Sequence, residues 1–247
     1  MTDSSAKSSR ILSSVLTPAL RLWLRSQVQQ VDVLELQIQG GDRQLLGGYV
    51  PQVTVAAENA VYQGLHLSQI RLNGTNIRVN LGQVLRGKPL RLLEIVPVTG
   101  DAMITEADLN ASLRSPLLAE AVSEFLVTLL RSGEADLLDA PAESLNFDQM
   151  QIQLGAGQLT LSANLASASG TPTAIAIRTG LKVADGHQLQ LVQPQWLPHA
   201  QAKRGLLLDD LDGWAIDLGA EVRLEELAIE SGKIACQGRV NVIPLPE

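Results

Sequence analysis

The sequence predicts an α+β fold in which strongly curved antiparallel sheet wraps around long amphipathic helices. Residues 17–28 and 105–130 carry apolar side chains at helical spacing. Most of the remaining chain alternates apolar and polar residues with a period of two, the mark of half-buried strands. The pattern LQIQGGDRQL at residues 36–45 also returns as MQIQLGAGQL at residues 150–159, an offset of 114 that repeats Gln37, Ile38, Gln39, Gly41, Gln44 and Leu45. Each copy follows an amphipathic helix by a short connector, so one reading is a duplicated helix-plus-meander unit. Two similar hairpins arising by chance are the other. Both readings imply antiparallel sheet curling around helices.

In chain order, residues 1–10 are small and polar and read as a disordered N-terminus. One domain follows over 11–247, with half-units 11–104 and 105–247. Thr17-Pro18 marks a helix start, with Thr as N-cap and Pro in the first turn. Leu20, Trp23, Leu24 and Val28 form one stripe, while Arg21 and Arg25 lie four apart on another face. From Val31 the period is two. Leu34, Leu36 and Ile38 alternate with Glu35, Gln37 and Gln39 before Gly40-Gly41-Asp42 turns the chain. Val53 and Val55, Leu65 and Leu67, Ile70 and Leu72, and Ile77 and Val79 continue the series, with Asn73-Gly74 expected as a hairpin turn. Residues 81–86 suit one helical turn ahead of Lys88-Pro89. Residues 90–104 read as extended, with Pro97 confining that strand to an edge or a bulge.

Thr105-Glu106-Ala107-Asp108 has capping-box spacing, with Asp where Glu or Gln is preferred. It opens a short helix with Leu109 and Leu113, and Ser115-Pro116 restarts it. Leu117, Leu118, Ala121, Val122, Phe125, Leu126, Leu129 and Leu130 then supply a broad apolar face, with Gly133 as C-terminal cap. That arc is too wide for one flat sheet face to cover. It needs a wrapped sheet, a second helix or a ligand. After an acidic loop over 134–143, strands resume around Ile152, Leu161, Ile175, Leu181 and Leu189, and the last ones run near Val222, Leu227, Ile234 and Val240.

Composition narrows the function classes. Of 247 residues, 43 are Leu, against three Trp, two Tyr and two Phe, so the core is aliphatic. Charged residues are 18%, below the roughly 25% usual for soluble domains. A net charge of −7 argues against nucleic acid as a partner. The single Cys236 excludes an internal disulfide framework. His66, His187 and His199 have no metal-ligand spacing, and no nucleophile elbow or phosphate loop is present. Asp210-Leu211-Asp212-Gly213 begins like a calcium loop but lacks the other ligands. The expectation is a non-enzyme with no cofactor and no metal. Residues 11–20 superficially resemble an export signal, but Arg21 and Arg25 interrupt the residues after it and no small-x-small cleavage site closes it. A cytoplasmic or peripheral membrane location is therefore expected, with export disfavoured.

Charge is unevenly placed. Residues 59–93 hold no acid and carry Arg71, Arg78, Arg86, Lys88 and Arg91, while residues 205–232 hold eight acids against Arg223. This suits a basic flank for anionic headgroups. The competing reading is that Arg71 and Arg78 solvate outward strand faces and pair with the acidic region. Trp196, between Pro194 and Pro198 and ahead of Lys203-Arg204, suits either a membrane interface or a core.

Four stretches are distinctive as a set: SVLTPALRLWLRSQV (14–28), GGDRQLLGGYVPQVTVAAENAVYQGLHLSQI (40–70), IRVNLGQVLRGKPLRLLE (77–94) and ITEADLNASLRSPLL (104–118). They resemble cyanobacterial members of the LmeA-like phospholipid-binding family, long described as a domain of unknown function. The resemblance spans most of the chain and is strongest over 14–130. It implies a tubular lipid-binding fold with an apolar groove, and it transfers no fixed residue-level site. On that reading, phospholipid or another acyl lipid is the partner. The groove would be lined by Leu113, Leu117, Val122, Phe125 and Leu129 from the helix and by Val53, Val55, Leu65, Leu67, Ile77 and Val79 from the strands. Arg71, Arg78, Arg86, Lys88 and Arg91 would face headgroups or a membrane. Binding and transfer of lipid is the leading function. A structural or scaffolding module with a closed core is the alternative.

Overall fold

A computed structural model describes residues 16–132, 146–166 and 172–244. The expected disordered terminus at 1–10, the Gly133 cap and the acidic loop at 134–143 lie outside the described residues. The described chain is mostly antiparallel sheet with few helices, and its sheets are curved but not closed.

The strands form two sheets. Helix α1 (Thr17–Gln27) precedes β1 (Val33–Gln39), short helix α2 (Asp42–Leu46), β2 (Tyr49–Tyr62) and β3 (Leu65–Arg78). One helical turn, α3 (Leu81–Val84), leads to β4 (Val96–Thr105). Helices α4 (Glu106–Ser112) and α5 (Pro116–Ser132) cross to the second sheet, which contains β5 (Phe147–Gly155), β6 (Gln158–Leu165), β7 (Thr173–Ala184), β8 (Gln188–Trp196), β9 (Leu206–Leu207) and β10 (Ala215–Asp217). The chain then returns. Strands β11 (Val222–Glu230) and β12 (Lys233–Val242) complete the first sheet in the order β1-β2-β3-β4-β12-β11, and the second runs β10-β8-β7-β6-β5 with β9 beside β8. The β4–β12 ladder crosses the boundary between the two expected half-units. Each sheet nonetheless begins as a helix followed by a four-strand meander.

Several local expectations change. Asn73-Gly74 is not a turn but the middle of β3, paired on both sides with β2 and β4. The Asn73 side chain accepts from Gln52 (2.8 Å), and a side chain at Gly74 would crowd Ile77, Val96 and Val98. Ladders on both flanks and close packing override the local turn signal. The real hairpin is Gln63-Gly64, both at positive φ (49° and 81°), as a two-residue turn requires. Pro97 lies in β4, a central strand, but the β3 ladder ends at Val98, so the missing N–H falls beyond it. Thr17 is the first helical residue of α1 and not its cap; Leu16 precedes it with no side-chain cap bond. Pro194 lies where β8 carries one extra residue against β7, the bulge that tolerates a proline within a sheet.

Close approach shapes the first sheet. Gly100 of β4 and Gly238 of β12 are register partners, and a Cβ on either would strike the backbone carbonyl of Arg71 or Arg223 in the next strand. No larger residue fits there without moving a strand.

Helix α4 is the seam between the sheets. Its capping box forms as expected: Thr105 N–H and Oγ1–H donate to Asp108 Oδ2 (2.9 and 2.6 Å), and Asp108 N–H donates to Thr105 Oγ1 (3.2 Å). Outward, Asn110 donates to the Ile152 carbonyl (2.8 Å) and accepts from the Ile152 N–H (2.9 Å), while Glu106 accepts from the Leu154 N–H (2.8 Å). These side chains satisfy the outer edge of β5 as a neighbouring strand would. The β11–β12 turn joins there, with Gly232 N–H donating to the Leu154 carbonyl (3.1 Å).

Candidate functional site

Two aliphatic clusters hold the fold together. In the first, Leu16, just ahead of α1, and Leu20 within it pack on Val50, Val53, Val55, Ile77, Val96 and Val98 of the first sheet and on Val79 just past β3. In the second, Leu113, Leu126 and Leu129 pack on Phe147, Ile152, Leu154, Leu161, Ile175 and Ile177, with Ile229 and Ile234 reaching in from the first sheet. The residues expected to line one groove are divided between them. Val53, Val55, Ile77 and Val79 belong to the first cluster, and Leu113, Val122, Phe125 and Leu129 to the second. Leu65 and Leu67 are half-buried near the other end of β3.

The second cluster is the less complete. Of the α5 face, only Leu126 and Leu129 are fully buried. Leu118, Val122, Phe125, Val127 and Leu130 are partly buried against the cluster, as are Met150, Leu159, Leu181 and Leu227 from the strands. Leu117 is 52% exposed. Phe125 is met by Trp214 with ring centroids 5.1 Å apart, so an aromatic pair sits on a mainly aliphatic surface. The arc is as wide as its sequence implies, and the second sheet covers only part of it. Trp196 packs against this cluster too, which decides between its two readings in favour of packing.

A separate cleft of about 570 Å³ opens beside β8, lined by Gln193, Pro194, Gln195, Lys203, Arg204, Leu207, Asp209 and Asp212 among others. It contains none of the expected groove residues, and its wall mixes cations, acids and amides. Asp212, part of the calcium-like stretch, accepts from the Gln193 N–H (2.8 Å). No group of His, Cys, Asp and Glu suited to a metal occurs among the described residues.

The basic residues are all exposed but do not form one group. Arg71 is in the middle of β3, opposite Asp101 in register. Arg78 ends β3, within 3.4 Å of Glu94 and 5.4 Å from the Tyr49 ring centroid, so its partner is local and not the acidic region. Arg86, Lys88 and Arg91 follow α3 and make no ion pair among the described residues. Arg43, on α2, stands at the same end of the first sheet. Sequence reasoning missed it because Asp42 precedes it and masks its charge.

Two groups titrate away from their ordinary values. Burial of Asp108 opposes its ionisation, but hydrogen bonds from Ser68 and Thr105, helped by nearby His66, outweigh it and hold the carboxyl below the usual carboxylate range. Burial pushes the Cys236 thiol up, the backbone at Ala102 partly offsets this, and the nearby Asp101 charge adds to the rise.

The described residues thus form a curved, open antiparallel scaffold whose second cluster leaves much of the apolar α5 face only partly buried. The chain belongs to the LmeA-like phospholipid-binding family, whose model matches residues 8–239. No curated protein and no solved structure matches it. No helix among the described residues is long and apolar enough to cross a membrane.

Proposed function

We propose that the chain binds phospholipid without catalysis, laying acyl chains on the half-covered surface between α5 and the second sheet, and exchanges that lipid with an anionic membrane. The observation that carries this reading is the row of partly buried Leu118, Val122, Phe125 and Leu130 around a fully buried Leu126 and Leu129. Such a surface leaves apolar area for a ligand to remove from water, at ~25 cal/mol per Å² before association costs. Its aliphatic lining offers few directional bonds, so acyl chains are held by area and headgroups are chosen elsewhere. Family membership supports phospholipid as the ligand class. Native mass spectrometry of gently purified protein is expected to show bound phospholipid, and delipidated protein to take up labelled phospholipid from vesicles. Delipidated, folded protein that takes up none supports the closed-core scaffolding module instead. Release of fatty acid or headgroup by pure protein would overturn the non-enzymatic part.

A further inference from the structure

The register gathers several strand ends. β2 begins at Tyr49 opposite Arg78, where β3 ends, and β4 begins at Val96 opposite Val242, where β12 ends. Residues 40–48, 79–95 and 243–244 all leave the first sheet at this end. Each segment carries large aliphatic side chains into solvent: Leu46, Leu85, Leu93, Ile95 and Ile243 are each 53% to 57% exposed. Exposed aliphatic side chains scattered singly mean little, but three leucines and two isoleucines at one end of a sheet call for a partner.

The residues around Leu46, Leu85, Leu93 and Ile95 are mainly basic, while Glu221 stands beside the end of β12, its carbonyl accepting from the Asn241 N–H. Segments 40–48 and 78–95 hold Arg43, Arg78, Arg86, Lys88 and Arg91 against Asp42 and Glu94, and Glu94 is tied to Arg78. The whole chain is at −7, so the remainder is more acidic still and this end is a pole of opposite sign. The display is held firmly. Buried Asn80 accepts from the Arg91 N–H (2.7 Å) and donates to the Pro89 carbonyl (3.0 Å), while Leu93 N–H donates to the Arg78 carbonyl (2.9 Å). Little backbone entropy is left to lose on docking.

We propose that this end of the first sheet docks on the surface of an anionic bilayer, its aliphatic side chains entering the interface and its cations meeting headgroup phosphates. The chemistry favours this occupant over a protein. The exposed apolar groups are aliphatic and spread over separate segments, and Tyr49 at the margin is already covered by Arg78. Cations beside shallow aliphatic anchors match a headgroup layer. Docking gives the lipid-exchange reading its membrane and rests on it for purpose, but the two fail separately.

Flotation of the full chain with vesicles of phosphatidylcholine and phosphatidylglycerol, and with phosphatidylcholine alone, tests it. Wild type is expected to float with the mixed vesicles and to detach as salt rises. Arg86→Gln with Lys88→Gln weakens that partition by roughly 30-fold. Leu85→Ser with Leu93→Ser weakens it on the same vesicles, keeps the unfolding midpoint, and leaves uptake of dispersed labelled phospholipid unchanged. Wild type that floats with neither vesicle, or double variants that float like wild type, overturns the proposal. A wild-type dimer abolished by the leucine changes also overturns it, giving the surface to a second copy. Failure of the lipid-binding reading shows separately, as protein that still floats yet takes up no dispersed phospholipid.

Discussion

Placing a carboxylate at Val122 distinguishes a ligand surface from a core. Val122 is half-buried on the α5 face, and Leu126, one turn on, is wholly buried. Truncating Leu126 to Ala empties a site that cannot rehydrate, and costs ~2–5 kcal/mol of stability. Val122→Asp forfeits only part of a valine's burial, about 1 kcal/mol, because solvent already reaches the position and keeps the new charge hydrated. With an acyl chain laid over it, the same carboxylate loses its water and gains no partner. That penalty of ~3 kcal/mol corresponds to on the order of 100-fold in Kd. The assays are urea unfolding of the lipid-free protein and titration with a dispersed fluorescent phospholipid. Leu126→Ala should lose stability while affinity per folded molecule stays within about threefold of wild type, and Val122→Asp should do the reverse. Unchanged affinity in Val122→Asp would refute the reasoning. A stability loss there as large as at Leu126 would show that the position is core.

Three further outcomes derive from the packing and the seam. Gly100→Ala should destabilise by ~1–3 kcal/mol or more, read as a lower thermal midpoint, since the added methyl meets the Arg71 backbone carbonyl, which cannot swing away as the neighbouring Leu72 side chain could. Asn110→Ala removes both bonds to Ile152 and should cost ~1–3 kcal/mol, with hydrogen exchange at the Ile152 amide accelerating ahead of the rest of the second sheet. Asp108 has a folded-state pKa below its unfolded value, so its stabilisation is fully present above about pH 4 and is lost as pH falls through the folded value. Asp108→Asn should therefore cost about 1 kcal/mol at pH 7 and progressively less in acid, measured as the gap between the two unfolding curves.

Period-two patterning located the strands well because one face of each must be apolar whatever it pairs with. The alternation of Leu34, Leu36 and Ile38 against exposed neighbours is the burial pattern of β1 itself. The capping box was legible for the same local reason, since Thr105 and Asp108 satisfy each other's backbone. What local patterns do not carry is partner choice. Nothing in β12 announces that it returns to β4, and the turn chemistry of Asn73-Gly74 was overridden by ladders on both sides. The candidate groove was read as a single lining because alternation tells which residues face inward but not toward which core. The basic residues were found as a run in sequence, whereas register decides that Arg43 joins the group and Arg71 stands apart. The exposed leucines at that end were hidden in composition, where each looked like one more core residue.

The return of β12 to β4 also bears on synthesis. β4 pairs with β3 early, but its other edge stays open while the whole second sheet is being made. At ribosomal rates Val242 follows Thr105 by on the order of 10 s, during which a twisted, aliphatic strand presents an unsatisfied backbone edge to the cell. The first sheet is therefore assembled only once β11 and β12 have been made. Chains stopped short of β12 should be the species that chaperones hold and that other nascent strands pair with.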